Sequence, residues 1–78
     1  MATTNDPLAA QRAMWRSYGT FIGNHPAVNR ADVDGMHRDF ETQALNYRQT
    51  NPALATILEA MAAEFYSAAI DALAKRGP

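Results

Sequence analysis

Between Pro52 and Gly77 no glycine or proline interrupts the chain, and nine of the residues from Ala53 to Ala74 are alanine. Alanine has the highest helix propensity, and glycine and proline the lowest, so this stretch has little alternative to a helix. The pattern predicts one helix over about 52–76, roughly 36 Å long at 1.5 Å per residue. Asn51 is placed to cap it and Pro52 suits its first turn. At the other end Lys75 and Arg76 meet the negative pole of the helix dipole, and Gly77 can stop the helix. Leu54, Ile57, Leu58, Met61, Phe65, Ala68 and Ala72 form a central apolar stripe. Ala55, Ala62 and Ala69 repeat beside it at heptad spacing, and Tyr66, Ile70 and Leu73 flank them.

Two shorter helices precede it. Asp6-Pro7 opens the first, expected over about 7–22, with a flexible arm at 1–5. On a helical wheel Leu8, Ala10, Met14, Trp15, Tyr18, Phe21 and Ile22 share one arc, which is expected to face the core. Arg12, Arg16 and Thr20 lie opposite, and Gly23-Asn24-His25-Pro26 is expected to end the helix near Ile22 or Gly23. The second helix is expected over about 30–49, capped by Asn29 with Asp32 as the acid of a capping box. Its apolar face carries Val33, Met36, Phe40, Ala44 and Tyr47, while Gly35 is expected to make its first turns irregular or tight. Short connections favour antiparallel neighbours, so the fold class expected is all-α, a single up-down-up three-helix bundle over 1–78.

A chain of 78 residues lies near the lower limit for a self-sufficient core. It has no cysteine, which removes disulfides and thiolate metal sites as means of stabilisation. Two shorter helices also leave part of the longest one uncovered, so association with another chain is expected to complete the bundle. A net charge of −1 is wrong for a surface that tracks phosphates, and the last helix carries Glu59, Glu64 and Asp71 where a groove-reading helix would be basic. Nucleic acid is therefore not an expected partner. Met1–Pro7 lacks the basic start and apolar run of a signal peptide, and no stretch of about 18 residues is uninterruptedly apolar. A cytoplasmic protein with no membrane association is expected.

Few residues carry chemistry. Asp32, Asp34, Gly35 and Glu41 fall at positions three, five, six and twelve of a loop resembling the EF-hand calcium loop. Arg30 stands at position one, where a carboxylate belongs, and Pro26 breaks the entering helix, so calcium binding is rejected. His37 and Glu41 share a helix face but supply two ligands where a stable site needs three or four. Ser17 and Ser67 have no histidine nearby in sequence, and no nucleophile elbow exists. Asp34 with Asp39, and Glu59 with Glu64, read as solvated helix faces rather than acid–base pairs. Arg12 and Arg16 form a small cationic pair most simply answered by an acid of the same chain. No metal, cofactor or catalytic residue is expected.

The expected function is a non-enzymatic protein-interaction or self-association module, acting as a homodimer or by docking on a larger protein. The interface expected is the long helix at Ala55, Ala62, Tyr66, Ala69, Ile70 and Leu73. The alternative is a protein that binds or sequesters a small hydrophobic ligand among Trp15, Tyr18, Phe40, Tyr47 and Phe65.

Overall fold

A computed structural model describes residues 7–76, all of them in three helices and their links: α1 (Pro7–Asn24), α2 (Arg30–Tyr47) and α3 (Pro52–Arg76). The chain is an all-α, three-helix protein with α1 and α3 running in the same direction and α2 against them. The N-terminal arm, the Asp6 cap and the Gly77 stop lie outside the described residues.

Local chemistry sets most of the helix ends. The Asn29 side chain accepts from the Asp32 amide at 2.9 Å, and the Asp32 carboxylate accepts from the Asn29 amide at 3.0 Å. This reciprocal capping box satisfies two amide donors at the start of α2. The same helix ends at Tyr47 rather than 49, because the Arg48 amide turns back to the Leu45 carbonyl at 3.2 Å and Asn51 closes onto Tyr47 at 2.7 Å. Asn51 then caps α3 by accepting from the Leu54 amide at 3.2 Å. Gly35 does not disturb α2, which runs helically through it, and a methyl group there would meet nothing within 4 Å.

The first helix departs from expectation in two ways. It continues through Gly23 to Asn24, and it does not turn the centre of its apolar arc toward the core. Gly19 and Gly23, four residues apart and therefore on one face, are buried directly against α3. A Cβ on Gly19 would overlap the carbonyl oxygen of Phe65 and lie 3.1 Å from the Ala68 Cβ. On Gly23 it would overlap the carbonyl oxygen of Ala69 and lie 2.7 Å from the Ala72 Cβ. Glycine is what permits two helix backbones to approach this closely, and the approach offers Cα–H···O contacts in return. Gly23 therefore serves as a contact residue, not as a terminator.

Close approach also explains the make-up of the core. Among the described residues, six of the eight buried hydrophobics are alanines: Ala44, Ala55, Ala62, Ala68, Ala69 and Ala72. Only Val33 and Phe65 are larger, and Trp15, Ile22, Val28, Met36, Phe40, Tyr66, Ile70 and Leu73 pack half-buried around them. Helix α3 is the hub, since α1 and α2 each pack on it far more than on one another. At the far end Arg76 donates to the carbonyls of Gly23 at 3.0 Å and Val28 at 2.8 Å, tying the end of α3 to the α1–α2 link. The result is broad and thin, since α1 and α2 flank α3 and the shortest Cα extent is 13 Å.

Candidate functional site

Because α1 docks by its glycine face, the apolar arc on the other side is left largely in solvent. Met14 is 56% exposed, Tyr18 40% and Phe21 64%. These three lie at i, i+4 and i+7, one continuous stripe of a helix. Ala10 and Gln11 share the stripe, so no charged side chain interrupts it between Leu8 and Phe21. Trp15 and Ile22, at the edge of the arc, pack half-buried on the core, and Tyr18 reaches it with one side of its ring.

Beside the stripe, α1 and α2 enclose an open apolar groove of about 470 Å³ lined by Met14, Trp15, Tyr18 and Phe40. An aromatic cluster builds its wall. Trp15 meets Phe40 edge-on at a centroid distance of 5.1 Å and Tyr18 at 5.5 Å, while Phe65 stands 6.5 Å away beneath. Phe65 in turn contacts Tyr18 and Phe40, each at 5.6 Å. All but the tilted Tyr18–Phe65 pair are edge-to-face, a geometry that orients the rings as well as burying them. Four of the five residues expected to line a ligand pocket thus come together. Tyr47, two turns further along α2, stays outside the groove lining and largely in solvent.

The residues expected to form an interface on α3 have other places. Ala55, Ala62 and Ala69 are buried inside their own chain. Ile70 and Leu73 pack half-buried against Val33, Phe65 and Ala69. Tyr66 is engaged by α2: its hydroxyl donates to Asp34 at 2.8 Å and accepts from Arg30 at 3.1 Å, and the His37 ring lies against it at 4.4 Å. Arg30 also pairs with Asp34 at 3.2 Å. The Tyr66 hydrogen bond is the main reason the Asp34 carboxyl is held below its ordinary pKa; partial desolvation opposes it and Arg30 assists it. Tyr66 first and Asp34 second hold the Arg30 guanidinium more firmly protonated than usual.

The remaining candidates resolve into ion pairs. Arg16 binds Glu64 at 2.8 Å and Arg12 approaches it at 4.0 Å, so both answer an acid of α3. Glu59 pairs with Arg48, and His37 lies 3.7 Å from Glu41. Among the described residues no group of three or more His, Asp or Glu is placed to hold a metal ion. By length and composition α3 would suffice to cross a membrane, with a mean hydropathy of 1.3 over its most apolar window, although Glu59, Glu64 and Asp71 interrupt the helix. Comparison with protein-family models, curated proteins and solved structures finds no match.

Gly19, Gly23, Met14 and Phe21 are the residues that sequence reasoning passed over as site-forming. The signal was present in the two glycines four apart, which share a face with Arg12 and Arg16 and so turn the arc away from α3.

Proposed function

We propose that this chain is a non-enzymatic helical interaction module whose working surface is the outward arc of α1, Met14, Tyr18 and Phe21, rather than the flank of α3. The observation that carries this reading is the orientation of α1. A helix that spends its glycine face on its own core and leaves methionine, tyrosine and phenylalanine in water has an apolar surface that its own fold does not cover. A thin fold with an alanine core needs that surface covered.

Two glutamate substitutions separate the arc from the core. In dilute solution Phe21→Glu is expected to change the unfolding free energy by no more than about 0.5 kcal/mol, as a surface substitution does. Ile70→Glu, which forces a charge among core side chains, is expected to cost at least about 2 kcal/mol. Equilibrium denaturation followed by circular dichroism measures both. Equal destabilisation by the two would make the arc part of the core and end this reading.

A second reading rests on the groove. Its volume of 470 Å³ falls in the range of small-molecule sites, and its lining is apolar and aromatic. A flat hydrophobic ligand seated there would alter the fluorescence of Trp15, and a ligand screen that leaves both that emission and the melting temperature unchanged would discard the idea.

A further inference from the structure

Resting on the reading that the α1 arc is an interaction surface, we infer that its occupant is a second copy of this chain, paired antiparallel so that Phe21 of each copy enters the Met14–Trp15–Tyr18–Phe40 groove of the other. A two-fold interface must be self-complementary: whatever projects from a patch has to fit a recess in the same patch. This patch contains both. Phe21 projects, 64% exposed, with the His25 ring edge-on to it at 6.5 Å. The groove, one to two turns earlier on the same helix, has room for an aromatic side chain and is already walled by rings.

The register follows from helix geometry. With the two-fold axis crossing α1 at Tyr18, Phe21 lies three residues to one side and Trp15 three residues to the other. Antiparallel pairing about that axis sets Phe21 of each copy opposite Trp15 of the other, twice over. Tyr18 meets its own counterpart at the axis, where two rings can stack. No charge has to be desolvated, since the stripe carries none and Arg12 and Arg16 turn away toward Glu64. An acidic or basic partner would find nothing to pair with there, whereas an identical stripe matches it.

Sedimentation equilibrium of the full chain from 1 to 200 µM, with Trp15 emission recorded on the same samples, tests the inference. The expected result is a monomer–dimer equilibrium in which Trp15 emission shifts to the blue as dimer forms. Phe21→Glu is expected to weaken association by on the order of 30-fold or more, the loss typical of a central anchor. In a chain without cysteine, Tyr18→Cys should give an oxidised, covalently linked dimer, whereas Ala63→Cys on the exposed side of α3 should not. A dimer that survives Phe21→Glu with Trp15 emission independent of concentration overturns the inference, because another face would then be paired. A strict monomer at 200 µM also overturns it. Neither outcome touches the comparison of Phe21→Glu with Ile70→Glu, which tests the surface itself.

Discussion

Tyr66 shows how one side chain can occupy a place that its neighbours in sequence do not announce. On a helical wheel it belongs with Ile70 and Leu73, yet its hydroxyl completes a chain from Arg30 to Asp34 across the α2–α3 seam. That bond has a titration consequence. The folded-state pKa of Asp34 lies below its ordinary value, so its contribution to stability is complete above about pH 4 and fades as pH falls through the depressed value. Tyr66→Phe removes the principal cause. Carbon-detected NMR titration should then show the Asp34 carboxyl moving up toward the ordinary range, with a shallower acid limb of stability, because less of the native state's advantage is left to lose as pH falls. An unmoved titration would mean that Arg30 alone holds the carboxylate. The residues of this cluster were legible singly: Arg30 as the cation that spoils a calcium loop, Asp34 as an acid on a helix face, His37 as one half of a pair with Glu41. Their meeting at Tyr66 was not, because it depends on how two helices are rotated about their axes.

Helix α3 was legible nearly to the residue, since its ends are written in Asn51-Pro52 and in a run without breakers. Helix α2 was legible at its start, where the capping box is local chemistry, and less so at its end, where a turn closes the chain. The orientation of α1 was the feature least accessible to pattern. Its apolar arc gave a clear inward face by periodicity, and the true inward face is set instead by Gly19 and Gly23, whose value lies in the absence of a side chain. Two glycines that look alike by propensity therefore have opposite consequences here. Gly35 sits in α2 with open space around its missing Cβ. Gly35→Ala is expected to add about 1 kcal/mol through helix propensity alone. For a domain of this size that corresponds to a rise of roughly 4–8 °C in melting temperature, which a thermal melt reads directly. No rise would show that Gly35 serves a role beyond the helix backbone.

The whole molecule follows from that one docking choice. Backbone contact through glycine and alanine gives close-packed helices but a core with only two larger residues fully buried, and it leaves a broad, thin body with aromatic side chains in solvent. The fold class was legible from the sequence because three periodic segments with short links permit few arrangements. The position of the candidate surface was not, because excess apolar area was visible in the sequence but its owner, α1 rather than α3, depended on the glycine contact. The same contact supplies the deciding test. Thermal unfolding of Gly23→Ala, at low micromolar concentration, sets helix propensity against helix docking. Propensity alone would raise stability by about 1 kcal/mol, whereas a methyl group driven against the Ala69 carbonyl and the Ala72 side chain should cost about 2 kcal/mol net. A melting temperature lowered by several degrees is the expected result. An unchanged or raised melting temperature would mean that α1 does not rest on α3 through its glycines, and the outward arc would lose its physical basis.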